Sequence, residues 1–410
     1  MSDPACTQVP VLDAAAAIAA ASSLAGEFAA GAAERDARRA LPYAELDRLA
    51  SSGLLAITVP AAYGGADLDA ATVTEVFRLI AQGDPNIAQI PHSHFVYVNQ
   101  LRWQGDLDQR ARLFTEVLQG KRFGNAQTEF GTKHVRDHRT ALTPDGRTGE
   151  GVRRWRLNGT KFYCTGALFA DWIPVLTHLG VDGPMHVAWV RRDAEGVEVV
   201  DDWDGIGQRT TASGTVRLRE VAVTDEWITP YAATFEGPQT YGAFAQVLHA
   251  AIDAGIARAA LEEAAEFVRN KSRPYPDAGV ERAADDPLTV HAFGEMELAL
   301  RGNEALLAEA ARKVDAADAV LDDAERYEAS AAEASLAVAA ARASSAQVSV
   351  AIASRVFEVA GTRSALAGVG LDRHWRNARI HTLHDPAAWK VQHLGRWALD
   401  GAPPPRHGQL

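Results

Sequence analysis

Four long segments with apolar residues at three- and four-residue spacing, about 243–270, 287–317, 323–360 and 385–399, dominate the C-terminal part of this 410-residue chain. Helices of that length, with alanine on their contact faces, bury those faces against one another, which predicts a helical bundle. The breaks fall at 273–279 (RPYPDAG) and at 361–372. Residues 11–118 also read as helical, interrupted by Pro60 and the Gly64-Gly65 pair. Asp67 or Asp69 is placed to cap a helix over about 70–83. Between these helical stretches, residues 119–232 change to short runs of strand-forming residues separated by Gly, Asp and Asn. Within them Leu157-Asn158-Gly159-Thr160 carries a hairpin signal. The expected organisation is a helical domain over 1–118, a β-domain over 119–232, and a helical bundle with its tail over 233–410.

Composition narrows the function classes. Hydrophobic residues make up 47% and charged residues 23%, as in soluble globular proteins. A net charge of −12 argues against a nucleic-acid partner. Two cysteines, Cys6 and Cys164, do not make a disulfide scaffold and suit a reducing, cytoplasmic location. The Ala-rich N-terminus lacks a leading basic region, and no run of 18 strongly apolar residues predicts a membrane span. His92-x-His94 and His381-x-x-His384 lack the carboxylate pattern of a metal site, so none is expected. No GxSxG elbow or P-loop occurs, and the lone glycine signals GVGLDR and GDPN lack strand–helix context for a nicotinamide site.

The densest chemistry lies at 361–386, GTRSALAGVGLDRHWRNARIHTLHDP. His374, His381 and His384 can donate, accept and change charge near neutral pH. Arg363, Arg373, Arg376 and Arg379 offer guanidinium forks suited to phosphate or carboxylate. This segment is expected to close over a phosphate-bearing cofactor and to carry a catalytic imidazole.

Five stretches, VPAAYGG, NAQTEF, LNGTKFYCTGALFADW, GIGQRTTASGTVRLREVAV and DRHWRNARIHTLHD, occur in an order and spacing that resembles the acyl-CoA dehydrogenase family. The resemblance spans nearly the whole chain. It implies an α+β multidomain fold: an N-terminal α-helical domain, a β-barrel-like middle domain and a C-terminal four-helix bundle. It also implies a homotetramer, with flavin between domains and across a subunit boundary. Where many dehydrogenases keep a Glu base in Tyr-Glu-Gly, this chain has His384-Asp385-Pro386. Asp385 would withdraw a carboxylate by about 1.5 Å, one C–C bond length. A shift of that size can cost roughly a hundredfold in rate.

That replacement, with FYCTGA and DDWDGIGQRTTASG, is similar to the two-component, dibenzothiophene monooxygenase-like branch of flavin monooxygenases. The branch implies reduced FMN supplied by a separate NAD(P)H-dependent reductase, O₂, and a flavin C4a-hydroperoxide that oxygenates a small organic molecule. Carried onto this sequence, the catalytic residues are His94, Thr165 and His384. Thr165 stands where the member typifying the branch has Ser, and keeps the hydroxyl. Asn125, Gln127, Thr128, Thr165 and Trp203 are expected against the isoalloxazine ring, and Arg273 and Arg363 at the flavin phosphate. Two rival readings remain at this level: an acyl-CoA dehydrogenase with tightly bound FAD and Asp385 as base, or a non-catalytic flavin-fold protein.

Overall fold

The structure, a computed structural model, describes residues 8–134 and 137–409; Cys6 lies outside them. Six helices come first: α1 (Ala14–Arg38), α2 (Tyr43–Ser51), α3 (Ala70–Gly83), α4 (Pro85–Gln89), α5 (His92–Gln104) and α6 (Leu107–Leu118). The starts of α1, α3, α4 and α6 carry side-chain caps. Asp13 accepts from the Ala16 N–H at 2.8 Å and Asp69 from Thr72 at 2.9 Å. Asp106 and Gln109 form a reciprocal capping box at the head of α6. Of the two candidate caps for α3, Asp67 instead pairs with Arg102.

Seven strands follow: β1 (Ala141–Arg147), β2 (Arg153–Lys161), β3 (Trp172–Leu179), β4 (Met185–Arg191), β5 (Val197–Val200), β6 (Thr215–Thr224) and β7 (Ile228–Pro230). They make one mixed sheet in the order β5-β6-β2-β1-β3-β4-β7, with β1 and β3 parallel. The sheet is not closed, so the barrel-like middle expected from the resemblance is here an open, apolar-cored sheet.

The expected hairpin at Leu157–Thr160 is a different feature. β2 runs through it, and the register against β6 slips between Leu157 and Gly159, a β-bulge. Asn158 and Glu220 bridge it reciprocally, at 2.6 and 2.9 Å. Gly159 is required because a Cβ there would stand 2.2 Å from the Thr140 hydroxyl oxygen. An Asn-Gly pair signals a backbone irregularity; whether that is a turn or a bulge depends on the partner strand.

The chain then returns to helix: α7 (Tyr241–Asn270), α8 (Pro287–Asp318), α9 (Ala324–Ala360), α10 (Asp372–His381) and α11 (Ala387–Asp400). α7, α8 and α9 pack on one another, and α10 and α11 close the bundle against α9. α3 lies against α7, and α1 against α3. A single apolar core therefore runs from Ala17 and Phe28 through Phe77 and Val247 to Val338. This continuity holds the α4–α5 corner rigidly against α7 and α10, where the site forms.

Candidate active site

α4 is only one turn long, but three layers meet on it. Asp84 caps it and Pro85 opens it, which fixes its direction. Asn86 accepts from the Thr210 N–H at 3.3 Å, and the Gln208 N–H donates to Asn377 of α10 at 2.7 Å. Gly207 passes so close to α10 that a Cβ would stand 2.0 Å from the Arg376 carbonyl oxygen. The 203–213 loop is thus pinned between α4 and α10. Tyr163, Gln208 and Ala212, all non-glycine residues, hold positive φ of 54°, 50° and 46° around it. Each such residue costs of order 1 kcal/mol, so this backbone is held by its surroundings.

The residues expected at a flavin ring converge on the 162–166 turn. Thr165 Oγ1 lies 2.6 Å from Ser213 Oγ, which lies 2.7 Å from Thr211 Oγ1. Thr211 donates to the Gln208 carbonyl at 2.9 Å, and Trp203 Nε1 donates to the same oxygen at 2.8 Å. Tyr163 meets the Trp203 ring edge-on at 6.1 Å. Asn125 Nδ2 donates to the Tyr163 carbonyl at 3.2 Å, and Thr128 pairs with Phe162. Gln127 turns its side chain to the Tyr97 hydroxyl at 2.9 Å, while its carbonyl accepts from Lys161 at 3.0 Å. A Cβ at Gly166 would stand 2.8 Å from the Ile90 carbonyl oxygen, so this turn abuts the end of α4.

Lys161 is fully buried, and its partner is Glu129 at 2.7 Å. Burial works to raise the Glu129 pKa. The Lys161 hydrogen bond and charge, with two hydrogen bonds from Thr140, outweigh it and hold the carboxyl at about 2 against an ordinary 4.5. A depressed carboxyl stabilises the fold above its unfolded pKa, and that contribution is lost as pH falls toward the folded one. Glu129→Gln is therefore expected to lower the melting temperature near neutral pH, with the gap to wild type closing between about pH 4.5 and 2. A gap independent of pH would refute the assignment.

Against the other side of α4 stand four imidazoles. His381 Nδ1 donates to buried Asp253 at 2.6 Å, and His381 Nε2 lies 3.1 Å from His249 Nδ1 and 3.0 Å from Gln89 Oε1. Gln89 Nε2 reaches His384 Nε2 at 3.1 Å, and His384 Nδ1 donates to the His381 carbonyl at 2.7 Å. His92 donates to the Ala245 carbonyl at 2.8 Å and stacks on His249 at 3.8 Å. His249 and His381 are buried; His384 presents an exposed surface. Burial holds His92 down to about 4, and burial with the neighbouring imidazoles depresses His249 as well.

The nitrogens of His249, His381 and His384 lie within 4.8 Å of one another. Tetrahedral zinc with 2.0–2.1 Å bonds would need separations of about 3.4 Å. His249 and His381 are within hydrogen-bond reach of each other, and Gln89 links His381 to His384.

His94, expected beside His384, is elsewhere. Its Nε2 donates to the Leu55 carbonyl at 2.8 Å and its Nδ1 accepts from the Phe123 N–H at 3.1 Å. Both nitrogens are committed, and burial keeps the ring neutral, with a pKa of about 4. Residues two apart on a helix face different ways, and it is His92 that faces the cluster.

The arginines of 361–386 are also redistributed. Arg373 pairs with Glu263, which accepts from His374 at 2.8 Å as well, and Arg376 pairs with Asp36 and Asp372. Arg379 donates to Thr382. Arg373, His374 and Arg376 thus stitch α10 to α7 and α1, and the two guanidinium groups among them are not free for a phosphate. Arg363 is exposed and donates to the Lys271 carbonyl at 2.9 Å, beside exposed Arg273. The two cofactor candidates therefore share one end of the bundle.

Gln89, His92, His249, Asp253 and Arg342 complete the site, and reasoning from sequence did not select them. A signal existed. His249 and Asp253 lie four apart in an otherwise apolar stretch of α7, and Arg342 is a lone charge in an Ala- and Ser-rich stretch of α9. An isolated polar residue on a buried helix needs a partner.

Comparison with known proteins places the chain. Residues 14–121 match the acyl-CoA dehydrogenase N-terminal domain and residues 247–388 the acyl-CoA dehydrogenase C-terminal domain. The chain is 33% identical to dibenzothiophene monooxygenase of Rhodococcus qingshengii, over 94% of both chains. It is likewise 33% identical to a probable FMNH2-dependent monooxygenase, SfnC, of Pseudomonas putida, over 95% of this chain and 96% of that protein. Among solved structures it superposes on TdsC from Paenibacillus sp. A11-2, in complex with FMN and indole. The TM-score is 0.86 at 31% identity, covering 96% of this chain and 99% of that one.

Proposed function

Because this chain belongs to the acyl-CoA dehydrogenase family, and to its flavin-dependent monooxygenase branch, we propose that it oxygenates a small organosulfur compound with reduced FMN and O₂. The observation that carries the reading is the state of Asp385. It is buried, with Arg342 Nη2 3.6 Å and Lys390 Nζ 2.5 Å away. Both its oxygens are buried between the two cations and open to no substrate, so it does not replace the dehydrogenase glutamate. His384 is the group that faces outward.

The residues present fit a flavin. Asn125 Oδ1, both amide atoms of Gln208 and Thr210 Oγ1 are buried without partners, as hydrogen-bonding edges awaiting a ligand would be. Asn125, Thr128, Thr165 and Trp203 would hold the ring, with Gln127 behind them; exposed Arg273 and Arg363 would meet the phosphate. Bound reduced FMN with O₂ supplies the oxygen atom transferred. The chain supplies the surroundings: Thr165 donates or accepts a hydrogen bond at the ring edge, His384 holds a proton, and the buried walls exclude water.

The reduced flavin comes from a separate NAD(P)H-dependent reductase in this reading, and the location is cytoplasmic. α11 leaves Trp389, Val391, Trp397 and Leu399 exposed around its circumference, and apolar surface of that kind supports assembly into a homotetramer.

The test mixes purified protein with chemically reduced FMN, ¹⁸O₂ and dibenzothiophene or methanesulfinate. One ¹⁸O atom is expected per product molecule, with no turnover of acyl-CoA. Reduction of an electron acceptor by an acyl-CoA, with no labelled product, would overturn the assignment.

A further inference from the structure

The Gln89 side chain joins two imidazoles, and their other contacts decide where the protons sit. His384 Nδ1 faces the His381 carbonyl oxygen, so it carries hydrogen. His381 Nδ1 faces the Asp253 carboxylate, so it too carries hydrogen. With Gln89 Oε1 toward His381 Nε2, that nitrogen must donate as well, and His381 is an imidazolium. Gln89 Nε2 then donates to His384 Nε2, and His384 is neutral.

Turning the amide by half a rotation inverts each assignment. Gln89 Nε2 would donate to His381 Nε2, leaving His381 neutral. Gln89 Oε1 would demand a hydrogen on His384 Nε2, making His384 the imidazolium. The two arrangements hold the same number of protons. Between them the N–H bond at His381 Nε2 breaks and its proton passes to solvent, an N–H bond forms at His384 Nε2 with a proton taken from solvent, and the charge moves from a buried ring to an exposed one.

We propose that the Gln89 amide is a two-position switch that stores the site's proton on buried His381 in one orientation and presents it on His384 in the other. Gln89 is thus a positioning residue for the proton that the oxygenation needs; that use rests on the monooxygenase reading, whereas the switch rests on the hydrogen bonds alone.

The charges around the two rings set the balance between the arrangements. Asp253 on α7 and Asp385 before α11 favour a positive charge; Arg342 on α9 and Lys390 on α11 oppose it. His92 on α5 donates away from the cluster to Ala245, and His249 on α7 adjusts its tautomer to whichever proton His381 Nε2 carries. Gln89 ends α4, against which the Thr165–Gly166 turn packs, so a ligand seated on that turn has a short path to the amide.

The test uses flavin-free protein with ¹⁵N-labelled histidine and long-range ¹H–¹⁵N spectra, which distinguish imidazolium from each neutral tautomer. His381→Gln and His384→Gln supply the assignments. In wild type at neutral pH, His381 is expected as imidazolium and His384 as the neutral Nδ1–H form. Gln89→Glu offers an acceptor to both rings, and both are expected as imidazolium. Gln89→Leu removes the link, and the tautomer of one ring is expected no longer to follow that of the other. With reductase and substrate, Gln89→Leu should lower turnover at least tenfold with unchanged FMN affinity, and Gln89→Glu should move the pH profile toward higher pH. Histidine spectra identical to wild type in both variants overturn the switch, whatever the enzyme's substrate. Altered spectra with no labelled product from any form would instead fault the monooxygenase reading and leave the switch standing.

Discussion

Replacing Arg342 by alanine should destabilise the protein by about 3–5 kcal/mol, the cost of leaving a buried charge without its partner. Arg342 is 1% exposed, and it spans two acids that have little other compensation. One nitrogen pairs with fully buried Asp253, the other stands 3.6 Å from Asp385. Both Asp385 oxygens lack an aligned hydrogen bond, so their compensation is charge at close range from Arg342 and Lys390. Without the guanidinium, Asp253 keeps only His381, and Asp385 only Lys390. Arg342→Lys retains the charge but loses the two-pronged reach, and should fall between. Denaturant midpoints of the three proteins measure the effect. A difference under about 1 kcal/mol for Arg342→Ala would show that the pair adds nothing the core does not already supply.

His384→Ala should lower the rate of substrate oxygenation by about 10²–10⁴, the usual worth of one positioned proton donor, while FMN still binds. His94→Gln should behave oppositely. Its ring spans the Leu55 carbonyl and the Phe123 N–H in the core, so the loss should appear in thermal stability, with the rate per folded molecule near wild type. Product formation from reduced FMN, measured beside melting curves, separates the two. Equal rate losses in both variants would restore His94 to the chemistry.

Much of the architecture was legible because it is written in local periodicity. The four long helical runs, the capped start of α3 at Asp69 and the change to strand character over 119–232 need no knowledge of what packs on them. The resemblance led to Thr165, Asn125 and Trp203, which the fold gathers on one turn. Arg373 and Arg376 misled because a guanidinium binds a carboxylate as readily as a phosphate, and Glu263 and Asp36 come from helices more than a hundred residues away in sequence.

By itself, then, the sequence determined the succession of helices and strands, the family, and the His384-Asp385-Pro386 triplet that sets an imidazole beside a shortened carboxylate. Tertiary structure alone decided which histidine faces the site, whether Asn-Gly turns or bulges, and that Gln89, His249, Asp253 and Arg342 share one buried network. Periodicity reports which face of an element is apolar. A hydrogen bond depends on the distance between atoms on different elements, and that distance exists only once the helices have packed.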